Sequence, residues 1–369
     1  MREAMIVRWC DVLIERFLRI GSSPSSCRFG NRLLSSLVVS CLVVVALSTM
    51  TVDAARVKNV IYLIGDGMGF RQMEVARFAK GAPLVIDSME MRSEARNASL
   101  DRAVTDSAAA GTAHATGFRT NNGMISMTPD GVLLRSIVYL AKKAGLRTGV
   151  VTNDALHGAT PGAYVANAIS RDDKEDILEQ AIFETQPDVL VGGGQSVYNQ
   201  IKAAERLPET GYRLVQTADQ LREWDASSGE KLLGLFASGA MAYAVERPAT
   251  EPSVAEMLQV ALDALSGGEN GFFLMLENDR IDGAGHANDL RRSVYDTLAF
   301  DEAVAVALAF AAERDDTLVI VTADHETGGL TPGRGVPSMV VLREGPEAVR
   351  LRIMDAFSQD PEADLVALL

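Results

Sequence analysis

The sequence predicts an α/β protein, with a central, mostly parallel sheet and helices on both faces, and three observations support that expectation. Strand-like apolar runs alternate with helix-like segments from about residue 57 onward, the order expected of parallel strands joined by crossover helices. Several of these runs stop abruptly on acidic or imidazole side chains, and in open parallel sheets ligands bind beyond the carboxyl ends of the strands. A chain of 369 residues, 47% hydrophobic and without a low-complexity tract, is also long enough for one large α/β domain or two ordinary ones.

The first segment, residues 1–55, reads as a targeting leader. Arg28 and Arg32 precede an apolar stretch at 33–47, followed by Val52-Asp53-Ala54-Ala55: a positive region, a hydrophobic region and a small-residue cleavage site. Cleavage after Ala54 or Ala55 is expected, which would export the protein to the periplasm or beyond and confine membrane contact to the leader. An uncleaved anchor, for which the apolar stretch is short, and lipid attachment at Cys41 are the alternatives. The leader exceeds the usual length, roughly 15 to 30 residues, which fits a translation start downstream of Met1. Cys10, Cys27 and Cys41, the three cysteines of the chain, all lie in it. The mature protein is therefore expected to lack disulfides and to hold any metal through oxygen and imidazole.

The α/β domain itself is expected over residues 56–369. A strand at 57–64 leads to a helix at 71–79, then to a small-residue helix at 107–117 and an amphipathic helix at 133–144 ended by Gly145. Further strands are predicted at 148–152, at 188–191 (stopped by Gly192, Gly193 and Gly194), and at 232–236, 271–276 and 317–322. Residues 294–314 repeat apolar side chains at helical spacing, giving a long helix packed between the second and third ligand-bearing strands. The stretch 195–256, richer in charge and turn residues, reads as an insertion over the sheet, and a last helix is expected at 347–357. The formal charge of −14 argues against nucleic-acid binding, which needs clustered Lys and Arg. A small anion would have to be held by metals and one or two placed cations.

The residues that carry chemistry sit at these strand ends. Asp66 follows the apolar run 60–64 among Gly65, Gly67 and Gly69. It reads either as a turn residue capping the next helix or as a ligand that backbone glycines leave accessible to an ion. Ser107 precedes Ala108-Ala-Ala-Gly-Thr112 and so starts a helix; it reads as an N-terminal cap, or as a nucleophile aided by free amides and the helix dipole. There is no Gly-x-Ser-x-Gly elbow and no evident Ser-His-Asp set, so activation would have to come from metal. Glu277, Asp282 and His286 follow the apolar run 272–276, the last two four residues apart, which on a helical turn puts carboxylate and imidazole on one side. A salt-bridge cluster around Arg280 is the alternative. Asp324 and His325 end the run 318–323, and two of the four histidines thus stand near aspartates at strand ends. His114 reads as structural and His157 is left open. Thr160 lies in Ala159-Thr160-Pro161, and Arg171 can grip two phosphate oxygens or simply pair with Asp172 and Asp173.

With these residues assembled, the chain resembles the alkaline phosphatase family: the segment from Val104 to Thr112 matches that family's nucleophile signature throughout, and the similarity runs from about Val57 to Leu330. The resemblance implies an alkaline-phosphatase-like three-layer sandwich and hydrolysis of small phosphate esters, and it allows a homodimer. It also implies a phosphoserine at Ser107, with Arg171 holding phosphate oxygens and Asp106 placing it. Two zinc ions are implied, one on Asp66, Asp324 and His325 and one on Asp282 and His286, with one magnesium ion on Asp66, Thr160 and Glu277. A phosphodiesterase or phosphonate hydrolase on the same site, and a non-catalytic metal- or phosphate-binding remnant, are the alternatives; a phosphoglycerate-mutase-like enzyme is disfavoured by the leader. Three departures stand out. Residues 326–369 contain no histidine, so the third imidazole that relatives place on the second zinc is missing, and truncation of the gene or its reading is the expected reason. Gly158 and Gly283 stand where many relatives carry a magnesium-shell or phosphate-contacting side chain, which implies altered magnesium preference and phosphate contacts.

Overall fold

A computed structural model describes residues 57–330. The leader at 1–55 with Cys41, and the helix expected at 347–357, lie outside the described residues. The elements run β1 (Asn59–Gly65), α1 (Phe70–Lys80), α2 (Ser107–Thr116), α3 (Ile137–Lys143), β2 (Arg147–Ala155), α4 (Ala159–Val165), α5 (Lys174–Glu179), β3 (Val189–Gly193) and α6 (Gln195–Gln200). They continue as β4 (Tyr212–Val215), α7 (Ala218–Glu223), β5 (Lys231–Leu235), α8 (Val254–Leu265), β6 (Phe272–Asn278), α9 (Arg280–Ala287), α10 (Leu290–Ala312) and β7 (Thr317–Ala323).

The seven strands form one sheet in the order β4-β5-β3-β2-β6-β1-β7, and every neighbouring pair is parallel. Side chains alternate between its two faces, and both faces are covered. Phe273 and Met275 of β6 join Ile64, Val150 and Leu190 in a core against α2 to α6, whereas Phe272, Leu274 and Leu276 join Ile61, Leu63 and Val151 in a second core against α7 to α10. Two-sided burial is why these strands read as continuous apolar runs. Each large buried side chain contributes about 1.5–3 kcal/mol relative to exposure, so the sheet is anchored from both sides.

Four expectations change in detail. The helix expected at 133–144 starts only at Ile137, because the Ser136 side chain accepts from Tyr139 N at 3.3 Å as its cap, while Leu134 N donates to Ser126 O at 2.8 Å and Leu133 bridges Met127. Gly192 and Gly193 belong to β3, and only Gly194, at φ +104°, ends it. The stretch 195–256, read as an insertion over the sheet, supplies β4 as well as the strand expected at 232–236, here β5, and the two extend the sheet at one end. The long helix α10 begins at Leu290, four residues before the expected start, because Asp289 caps it by accepting from Arg292 N at 2.9 Å. It lies against β1 and β7, alongside α8 and α9.

Candidate functional site

Because β1 lies between β6 and β7, the carboxyl ends of these three strands are adjacent. Register places Ile64 beside Glu277 and Gly65 beside Ala323, so Asp66, Glu277 and Asp324 emerge on one edge. All three are buried, each 1% exposed. Gly67 makes the turn after β1 possible: its φ is +71°, and a Cβ there would lie 2.7 Å from Asp282 Cα. Its amide donates to Asp324 Oδ1 at 3.1 Å and its carbonyl accepts from Thr327 N at 3.2 Å, tying the first strand end to the third.

Asp66, Asp324 and His325 form one metal-capable group, with a ligand atom from each within 4.8 Å of the others. Asp324 Oδ1 is occupied by the Gly67 and His325 amides, while Oδ2, buried and without a hydrogen-bond partner, lies 3.1 Å from His325 Nε2. Burial, followed by repulsion from Asp324 and Glu277, pushes the Asp66 carboxyl well above the usual range. Burial also raises Asp324, partly offset by His325, and raises Glu277, with further repulsion from Asp279 and Asp154. Buried carboxylates facing one another are costly without a cation. An orphaned oxygen, a convergent imidazole and two carboxylates therefore fit a divalent ion of zinc's type.

Ser107 opens α2 beside this group. Its Oγ is 3.2 Å from His325 Nε2 and 3.5 Å from Asp66 Oδ1. The cap of α2 is Asp106, whose Oδ1 accepts from Ala109 N at 3.0 Å, so Ser107 occupies the first helical position instead. The other Asp106 oxygen accepts from Gly123 N at 2.9 Å and from Arg171 Nη1 at 3.4 Å. Arg171 is thus held beside the helix start; it does not pair with Asp172 or Asp173.

A second group joins Asp66, Glu277 and Asp279, again within 4.8 Å. Thr160, in the first turn of α4, donates to Asp66 Oδ2 at 3.2 Å, and Thr152 donates to Glu277 Oε2. All its donors are oxygen, which suits a hard cation. Asp282 and His286 meet at 3.4 Å on α9, with Thr327 donating to Asp282. His286 is 75% exposed at its side chain, and among the described residues this pair has no third ligand.

Two acids in this region escaped the sequence reading. Asp279 pairs with Arg280, so the salt-bridge alternative holds for Asp279 but not for Glu277 or Asp282. Its only sequence signal is that it falls between two candidate ligands. Asp154, at the end of β2, is raised to about 7 by burial and then by repulsion from Asp279; it lies two residues beyond the strand expected at 148–152, separated from that apolar run by Thr152 and Asn153. Near Gly283, a Cβ would lie 3.1 Å from Tyr243 Oη and 3.5 Å from Arg280 Cζ, so other side chains already fill that space. His114 shares a hydrogen bond with Tyr62 Oη at 2.9 Å and belongs to neither metal-capable group. His157, buried in the turn before α4, belongs to neither metal-capable group.

The sequence profile of the alkaline phosphatase family matches residues 57–350. Alkaline phosphatase 4 of Bacillus subtilis is 36% identical over 76% of this chain, and the chain spans 64% of that relative's length. The Escherichia coli alkaline phosphatase is 34% identical over 73% of this chain and 70% of its own. A histidine-to-aspartate variant of the TAB5 alkaline phosphatase, from an Antarctic bacterium and with Mg bound in its M3 site, superposes with a TM-score of 0.69 at 32% identity, covering 75% of this chain and 80% of that one. The parallel sheet with metal-capable side chains at three adjacent strand ends, the serine that opens α2 and this match over most of the chain agree: the protein belongs to the metal-dependent alkaline phosphatase family.

Proposed function

We propose that the protein is a metal-dependent phosphate monoester hydrolase working through a phosphoserine at Ser107. The observation that carries this reading is the placement of Ser107 Oγ, 3.2 Å from His325 Nε2 at the edge of a buried, cation-demanding group. Asp66, Asp324 and His325 would hold one zinc, Asp282 and His286 a second, and Asp66, Thr160 and Glu277 a magnesium ion. The metals supply an ionised serine hydroxyl at neutral to alkaline pH and compensation for charge on the leaving oxygen.

The chain's own groups account for the remaining steps. Asp106 and the Gly123 loop fix Arg171 so that its guanidinium can bind two terminal phosphate oxygens, a grip suited to a dianionic monoester. Ser107 Oγ attacks phosphorus in line, the ester P–O bond breaks, and the alcohol leaves with a proton. Water then attacks the phosphoserine, the Oγ–P bond breaks, and inorganic phosphate leaves with Ser107 restored. The amides that open α2 and Arg171 stabilise charge on the equatorial oxygens in both displacements.

Rapid acid quench with a labelled phosphomonoester tests the reading: label is expected on Ser107, and Ser107→Ala abolishes it while metal content stays nearly unchanged. Loss of zinc from that variant contradicts the assignment. One observation favours a second reading, binding without turnover: among the described residues, Asp282 and His286 lack a third ligand. An unlabelled Ser107 in the zinc-loaded protein supports that reading instead. The reading places the protein outside the cytoplasm, which rests on the leader pattern; among the described residues no helix is long and apolar enough to cross a membrane.

A further inference from the structure

Asp279 stands at the N-cap position of α9, where an aspartate ordinarily accepts from amides of the first turn, yet its side chain makes no capping bond. The carboxylate is used elsewhere. A ligand oxygen of Asp279 lies within 4.8 Å of one on Asp66 and one on Glu277, both residues 1% exposed. The Asp279 side chain is itself only 15% exposed. Its backbone is held from below by two buried amide side chains. Asp279 N donates to Asn153 Oδ1 at 2.7 Å, Asn153 Nδ2 donates to Asn278 Oδ1 at 2.8 Å, and that oxygen also accepts from Arg280 N at 3.1 Å. Asn278 Nδ2 donates in turn to Asp296 O on α10 at 3.0 Å. The end of β6 is thus fixed to β2 and α10, and Asp279 is carried with it. Arg280 pairs with Asp279 Oδ2, which accounts for one oxygen of the carboxylate but not for its convergence on two other acids.

We propose that Asp279 is a further ligand of the hard-cation site, joining Asp66, Thr160 and Glu277. Charge supplies the reason. Asp66 serves both metal-capable groups: its Oδ1 lies 3.7 Å from His325 Nε2, and its Oδ2 accepts from Thr160 at 3.2 Å. Shared in this way, it leaves a divalent ion on the Thr160 side with Glu277 as the one carboxylate of its own, and Asp279 adds the second. A carboxylate there also takes a coordination position that magnesium otherwise fills with water. Arg280 offsets the added negative charge from Asp279 Oδ2, and its guanidinium is held a second time, 5.2 Å from the centre of the Tyr243 ring. The inference rests on the assignment of a hard cation to Asp66, Thr160 and Glu277 in the function proposed above.

The test is magnesium titration of the zinc-loaded full chain by calorimetry, with the magnesium-dependent rise in thermal midpoint as a second readout. Asp279→Asn keeps the shape and removes the charge, and it is expected to weaken magnesium binding roughly 10- to 100-fold. Arg280→Gln breaks the same ion pair from its other side but keeps the carboxylate. Removal of a positive charge beside the ion is expected to tighten magnesium roughly 2- to 10-fold. The two halves of one ion pair thus move affinity in opposite directions, which a merely structural pair does not do. Unchanged magnesium affinity in Asp279→Asn overturns the proposal, as does weakening by the same factor in both variants. Should Asp279→Asn fail to fold, Asp279→Ser takes its place in the comparison. A zinc-loaded parent that takes up no magnesium overturns the proposal too. Ser107 labelling on the same preparations keeps the two readings apart: a parent that binds magnesium through Asp279 but never labels Ser107 overturns the phosphomonoesterase reading alone.

Discussion

Arg171 illustrates how one residue can change meaning between sequence and structure. Beside Asp172 and Asp173 it read by itself chiefly as a solvated ion pair, but its side chain turns to Asp106, the residue that caps α2. Arg171→Ala is expected to weaken inhibition by inorganic phosphate roughly 10- to 100-fold, the loss of charge-assisted hydrogen bonds worth about 1.5–3 kcal/mol, and unaltered product inhibition would remove its role. Asp66, Glu277, Asp324 and His325 were legible because each interrupts or ends an apolar run, a pattern that survives without knowledge of pairing. Asp154 and Asp279 were not legible: their positions depend on a register shift in β2 and on the strand order that puts β6 beside β2. Neither is encoded in local residue type.

At the level of elements, α2 and α4 carry Ser107 and Thr160 toward the same carboxylate, and they approach closely where Gly111 faces α4. A Cβ at Gly111 would lie 3.2 Å from Thr160 Cα and 3.3 Å from Ala163 Cβ. Gly111→Leu is therefore expected to force the helices apart, costing about 1–3 kcal/mol and lowering Ser107 labelling, as read from denaturant midpoints and acid quench together. A variant with parental stability and labelling would show that the helix spacing is not constrained there. Strands buried on both faces were easy to anticipate from their apolar runs. Strand β4 was not: Tyr212–Val215 is short, at the sheet edge, with an exposed Arg213, so its composition resembles that of the loops around it. The helix start at Ile137 was also missed, since the apolar spacing continues upstream through residues that pair with the Ser126 segment instead.

Across the whole molecule, the distribution of buried acids sets a pH dependence that does not require the metal ligands. Asp296 on α10, held by the Ala244 amide at 3.2 Å, is pushed up to about 7, chiefly by burial. The folded protein therefore keeps its proton through a range where the unfolded chain, near 3.8, has lost it. Stability from this group is present at low pH and falls as pH rises toward 7, by up to about 1.4 kcal/mol per pH unit. Asp296→Asn, which mimics the protonated form, is expected to be more stable than the parent above pH 7 and to flatten that slope, measured as unfolding free energy from pH 4 to 9. A parallel pair of curves counts against the assignment. The strand order has a kinetic consequence as well. β1 is the earliest described strand, yet both its neighbours, β6 and β7, are the last two, and Gly67 meets Asp324 across 257 positions. Contacts this remote in sequence close slowly, so during synthesis β1 waits with two unpaired apolar edges, a hazard for aggregation. The ion-binding edge comes into being only when that wait ends, which makes cation capture a marker of finished folding.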